Sequence, residues 1–178
     1  PAPIGALADL LASAVNPNLG ANILSPAATE IERQTIKWLA QFIGVSPTYG
    51  GLLVSGGNMA NFTGFLTART LKAPANIKEE GISNTTQKLV VYCPQTTHTW
   101  IEKAVILFGL GSRAIRWIST DQKNIMDNAM LEQAIRDDLK NGFTPLMVIG
   151  TAGDVSTGAV DDLVGTASIC KKYNLWFH

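Results

Sequence analysis

The chain has 178 residues, 46% of them hydrophobic, which suits one sizeable core and the usual length of a single domain or most of one. Fourteen basic residues balance fourteen acidic ones with no run of either sign, which excludes a nucleic-acid arm and a polybasic membrane patch. The apolar stretches fall short of a membrane span, the start shows no leader pattern, and Cys93 and Cys170 lack metal-ligand spacing; no metal and no membrane are expected, but two buried free thiols in a reducing, cytoplasmic compartment.

Leu7, Leu10, Leu11 and Ala14 line one face of a helix over about 4–15, ended by Asn16-Pro17-Asn18-Leu19-Gly20. Ser25-Pro26 offers an N-cap and a first-turn proline for a second helix, in which Ile31, Thr35, Trp38, Leu39 and Phe42 recur at helical spacing until Gly44. Residues 51–54 read as a short strand running into a Ser55-Gly56-Gly57 turn, with a helix over 59–71 behind it. The stretch 77–87 is polar and turn-rich, a surface excursion. Strand 88–92 follows, then a helix over 99–108 stopped by Gly109, strand 114–118, and a helix capped by Asp127 that runs through Leu131, Ile135 and Leu139 to Gly142. Strand 146–149, a loop over 151–158, a helix through Ala167 and Ile169 and strand 175–177 complete the chain. This alternation predicts an α/β fold, a mostly parallel sheet with helices on both faces. Ligands of such sheets sit beyond the carboxyl ends of the strands, so the glycine turn, His98 and Thr151, each placed just after a strand, are expected at one edge.

Two glycines there let backbone approach a bound group, and the amides of Gly57, Asn58 and Met59 open a helix whose dipole favours an anion such as phosphate. The pattern matches neither the dinucleotide fingerprint nor the P-loop, and a glycine turn serving helix packing alone accounts for it equally well. His98, where a strand turns into a helix, is either a polar residue satisfied at the helix start or an imidazole that lies flat on an aromatic ligand and exchanges a proton near neutral pH. Thr151 places a hydroxyl at a strand end. Asp161 reads as a helix cap and Asp162 as a first-turn acid, neither catalytic; Asp154, which stands in the loop itself, is less easily dismissed, though a turn-forming role accounts for it best.

Taken together, several segments resemble the group II pyridoxal-phosphate-dependent amino acid decarboxylases, the aromatic-L-amino-acid decarboxylase-like family. They are Leu7-Ala8-Asp9-Leu10-Leu11, Ser25-Pro26-Ala27-Ala28-Thr29-Glu30-Ile31-Glu32, Ser55-Gly56-Gly57-Asn58-Met59-Ala60-Asn61 with Ala68-Arg69, His98 with Lys103-Ala104, Thr151-Ala152-Gly153 with Gly158-Ala159, and Leu175-Trp176-Phe177-His178, in family order over nearly the whole chain. The resemblance implies the aspartate-aminotransferase-like (fold type I) large domain, incomplete here, with an N-terminal helical segment over 1–45 and the first part of the cofactor domain over 46–178. It implies pyridoxal 5'-phosphate as cofactor, an amino acid substrate, aromatic in the first instance, and a homodimer with sites at the subunit interface. It also implies roles: Gly57 and Asn58 bind the cofactor phosphate, His98 stacks on the ring as the catalytic residue, and Thr151 lies beside the ring. In the family the motif continues after the position of His178 to an Asp that pairs with the pyridine nitrogen and, later, to the Schiff-base Lys. The 178 residues are therefore expected to be the front of a longer enzyme, inactive alone, and to need a second copy or a chain carrying the rest. Asn58 departs from the commoner Ser or Thr, and Asp154-Val155 from Thr-Thr or Thr-Val, which sets a charge near the cofactor rim. Competing readings are another fold-type-I enzyme (cysteine desulfurase or carbon-carbon lyase), a non-catalytic remnant or interaction module, and, more distantly, a nucleotide-binding domain relying on Glu79 or Glu80.

Overall fold

In this computed structural model, residues 2–73, 77–82 and 88–178 are described, in two compact units, Pro1–Ser55 and Gly56–His178. The first unit holds α1 (Pro3–Val15) and α2 (Pro26–Phe42). Helix α1 ends at Asn16, whose left-handed backbone returns its amide to the Ala12 carbonyl, the termination expected of the Asn-Pro-Asn segment. Ser25 departs from expectation: its side chain makes no cap, and its carbonyl instead accepts the amide and hydroxyl of Thr29. The strand expected over 51–54 does not form. Leu53 gives its amide to the Glu32 carboxylate at 2.8 Å and Gly51 lies against Ile36, so this segment is pinned to α2 rather than paired in a sheet.

The second unit opens with α3 (Gly56–Lys72), three residues earlier than the apolar spacing suggested, and a single turn, α4 (Ile77–Glu80). Ile77 is buried, so the expected surface excursion is anchored at its start; its portion over 83–87 lies outside the described residues. Then come β1 (Lys88–Pro94), α5 (Trp100–Leu107), β2 (Ile115–Ile118), α6 (Asn128–Lys140), β3 (Phe143–Val148), α7 (Leu163–Lys172) and β4 (Trp176–Phe177). The four strands pair in parallel in the order β2-β1-β3-β4. Strand β3 starts three residues before the sequence suggested, because Pro145 is accommodated where the β1–β3 register shifts between Val90 and Val91.

Alternation along β1 builds a core on each face. Val91 and Cys93 pack with Phe65 and Ala68 of α3 and Ile101, Ala104 and Val105 of α5; Val90 and Tyr92 pack with Leu131 and Ile135 of α6 and Cys170 of α7. Each fully buried large side chain contributes about 1.5–3 kcal/mol. Both cysteines are free and buried, and burial pushes their thiols up, to about 12 for Cys93 and about 11 for Cys170. On the second face the Tyr92 hydroxyl donates to Asp138 at 2.8 Å, and the Arg116 guanidinium grips the same carboxylate at 2.9 Å.

Candidate active site at the switch in strand order

Strand β1 is followed in space by β2 on one side and by β3 on the other, so the chain reverses direction across the sheet between β1 and β3. A crevice beyond the carboxyl ends of the strands is expected at such a reversal. The residues that follow β1 and β3 are His98 and Thr151.

After β1, Gln95 bonds the Ile118 carbonyl and Thr97 closes a turn onto Pro94, which delivers His98 to the start of α5. The Trp100 amide donates to His98 Nδ1 at 3.3 Å. An amide can only donate, so Nδ1 supplies the lone pair, and in the neutral ring the proton resides on Nε2. The bond also satisfies one of the orphan amides of the first turn of α5, where Thr99 makes no side-chain cap. After β3, the Ile149 amide bonds to Tyr92 O and the Gly150 amide to His178 O, and Thr151 comes next.

His178, at the end of β4, holds this edge together. Its amide bonds to Val148 O, its Nε2 lies 3.0 Å from Asn61 Oδ1, and its ring meets Trp100 at 5.2 Å between centroids. Gly64 makes room: a Cβ there would stand 2.7 Å from His178 Cε1. With Asn61 as acceptor, Nε2 carries a proton, and burial holds the imidazole below its ordinary pKa, which favours the neutral ring. Through Asn61 the start of α3 is fixed at the same edge. Gly56 adopts a left-handed φ of 77°, the first turn carries no acid, and around Gly57 nothing lies within 4 Å of where a side chain would stand. The first-turn amides of Gly57 and Asn58 have no acceptor within the helix and the positive end of its dipole behind them, an arrangement that could hold a phosphate. Since no described strand precedes α3, its placement comes from the packing of Phe65 and Ala68 and from the Asn61–His178 contact, not from the strand-turn-helix expected of 51–59.

The loop between β3 and α7 corrects the roles expected of two of its three aspartates. Asp162, not Asp161, caps α7, accepting from Gly165 N at 3.0 Å. Asp161 is buried and accepts from Met126 N and Thr151 N, each at 2.7 Å. Asp154 turns into its own loop, as expected of a turn-former: hydrogen bonds from the Thr157 hydroxyl and amide and the Ser156 amide hold its carboxyl below the usual range.

The fold therefore brings Gly57, Asn58, His98 and Thr151 to one edge, although among the described residues no hydrogen bond joins the side chains of Asn58, His98 and Thr151 to one another. The contacts of His178, Asn61 and Asp161 at this edge were not legible in the sequence. His178 and Asn61 each close a motif noted in the sequence, but their pairing spans 117 positions and left no local signal.

The family described as "Pyridoxal-dependent decarboxylase conserved domain" matches residues 2–178. An aromatic-L-amino-acid decarboxylase of Bacillus atrophaeus is 34% identical over 98% of the chain, which covers 35% of that protein. The crystal structure of mouse CSAD superposes with a TM-score of 0.93 at 25% identity over 100% of the chain and 37% of that structure. A Catharanthus roseus tryptophan decarboxylase, solved in complex with L-tryptophan, gives a TM-score of 0.86 at 28% identity over 97% of the chain and 36% of that structure. The chain thus spans about a third of the length of the relatives it matches.

Proposed function

This chain belongs to the pyridoxal-dependent decarboxylase family, and from that premise we propose that it forms the front of the cofactor site of an enzyme that converts an aromatic amino acid to its amine and carbon dioxide. The observation that carries this reading is the convergence at one edge: His98 and Thr151 flank the reversal of strand order, and the Asn61–His178 contact brings the open start of α3 beside them. These residues fit pyridoxal 5'-phosphate, since a side chain at Gly57 would meet nothing within 4 Å and the first turn of α3 carries no acid of its own. When bound, the cofactor supplies the electron sink for the pair released as carbon dioxide leaves.

Gly57 and Asn58 would hold the phosphate through their backbone amides, a contact that does not need the commoner hydroxyl at position 58. His98 would hold the cofactor ring and would move a proton at Nε2, the nitrogen that the Trp100 amide leaves free. Thr151 would sit beside the ring and orient it. The aromatic substrate is supported by the identity to the aromatic decarboxylase of Bacillus atrophaeus and by the fold shared with the tryptophan decarboxylase. A homodimer is part of the same proposal, supported by the large apolar side chains that α1 and α2 leave exposed, among them Ile4, Leu7, Trp38 and Phe42. A cytoplasmic location is supported by the two buried, unpaired thiols.

The test is a substrate panel on the full-length protein loaded with pyridoxal phosphate, with products separated as amines. Aromatic amino acids should give their amines with kcat/KM about tenfold or more above aliphatic and acidic ones, the discrimination a side-chain pocket provides. A keto acid or a released sulfur or carbon fragment in place of the amine would favour another fold-type-I chemistry.

A further inference from the structure

Asp161 is 5% exposed and spends both carboxylate oxygens on backbone. Oδ2 accepts the Thr151 amide and Oδ1 the Met126 amide, each at 2.7 Å, while the Asp161 amide returns to the Thr151 carbonyl at 2.9 Å. Residues 152–160 make a small excursion, with Ala152 and Val160 bridged antiparallel and Gly153 and Asp154 both bonded to the Ala159 carbonyl. The Thr151–Asp161 pair closes its base. Met126 occupies the corresponding place after β2, bridged to Thr120 and 3% exposed. One carboxylate thus fastens together the bases of the loops that follow β2 and β3.

We propose that Asp161 is a positioning residue of the site: it sets the backbone of Thr151 at the end of β3 before any ligand arrives. This rests on the reading of Thr151 as a residue beside the cofactor. The chemistry requires an acceptor on both sides, because an amide in place of the carboxylate would turn an N–H donor toward one of the two backbone donors. Helix α7 makes no claim on this side chain, since its cap is Asp162. A carboxylate taken out of water and held only by amides is a costly way to close a surface loop, and the residue it fixes is the one at the switch in strand order.

The test uses the full-length, cofactor-free enzyme and hydrogen exchange of a peptide that reports the Thr151 amide. In the wild type this amide should already be protected, and adding pyridoxal phosphate should change its rate little. In Asp161→Asn the amide should exchange about tenfold or more faster, cofactor affinity should weaken, and kcat should fall about 10- to 100-fold, the scale of a small misplacement near the reacting group. Asp162→Ala, which loses the α7 cap, should lower thermal stability yet leave Thr151 exchange and cofactor affinity as in the wild type. The proposal is overturned if the wild-type amide exchanges freely until cofactor is added, a measurement that stands even if Asp161→Asn does not fold. It is equally overturned if Asp161→Asn frees the amide without changing cofactor affinity or kcat, or if Asp162→Ala weakens the cofactor as much. An enzyme that releases no carbon dioxide but shows the protected Thr151 amide would instead count against the decarboxylase reading alone.

Discussion

His178 Nε2 stands 3.0 Å from Asn61 Oδ1, so the end of β4 and the second turn of α3 are joined across the carboxyl edge of the sheet. The same imidazole touches Trp100, whose amide holds His98. The start of α3 and His98 are therefore referred to one buried ring.

Gly64 is the residue that makes this possible. Gly64→Ala in the full-length protein would force a methyl to within 2.7 Å of His178 Cε1 and displace the ring from Asn61. Overpacking of this kind costs about 1–3 kcal/mol. Urea denaturation should show the midpoint lowered; an unchanged midpoint would mean that the imidazole has room to move.

His178 also gives stability a pH dependence. Burial lowers its pKa in the folded state, so as the pH falls below about 6.5, the ordinary histidine value, the unfolded chain takes up a proton that the folded chain does not. Stability contributed by this group is complete above that range and is lost as the pH falls through it, down to the lowered folded pKa. Melting temperatures measured from pH 8 to about pH 5 should decline, and His178→Gln, whose amide nitrogen can still reach Asn61, should decline less steeply. Parallel curves would remove His178 from the account.

For His98 the expectation concerns turnover. His98→Ala should keep the fold, because the residue is exposed and its one structural bond is a single helix-start contact. Turnover should drop about 100-fold or more, the scale for losing a positioned proton-transfer group. Turnover equal to wild type would return His98 to a helix-start role.

The Tyr92–Asp138–Arg116 cluster is expected to serve the fold and not the chemistry. Asp138→Ala leaves a buried phenol and a half-buried guanidinium without their acceptor, a loss on the order of 3 kcal/mol. Denaturation should detect it, while the kcat of the folded enzyme should stay near wild type; a kcat that falls in step with stability would show that this face communicates with the site.

Much of the α/β framework was legible because its signals are local. Apolar runs bounded by turn residues marked β1, β2 and β4, and Asp127 announced α6 by capping it, accepting from Ala129 and Met130 amides. Residues 51–54 carried the same local signal and misled, since a strand needs a partner and Leu53 found the Glu32 carboxylate instead. Pro145 hid the start of β3, because a proline is tolerated inside a sheet only where the register gives way. In the adjacent pair Asp161-Asp162 the capping rule cannot choose; burial does, and burial depends on Met126, 35 positions away. The candidate site divides in the same manner. Glycines, His98 and Thr151 stand out by type and by place along the chain, whereas Asn61, Asp161 and His178 matter through partners that only the folded sheet brings near.

The most direct measurement of the central claim follows carboxyl-labelled L-tryptophan or L-tyrosine through the full-length enzyme, counting labelled carbon dioxide and amine together. The account predicts equal amounts of the two, dependent on added pyridoxal phosphate. Label retained in a keto acid, or no labelled gas from any amino acid while cofactor is bound, would contradict it.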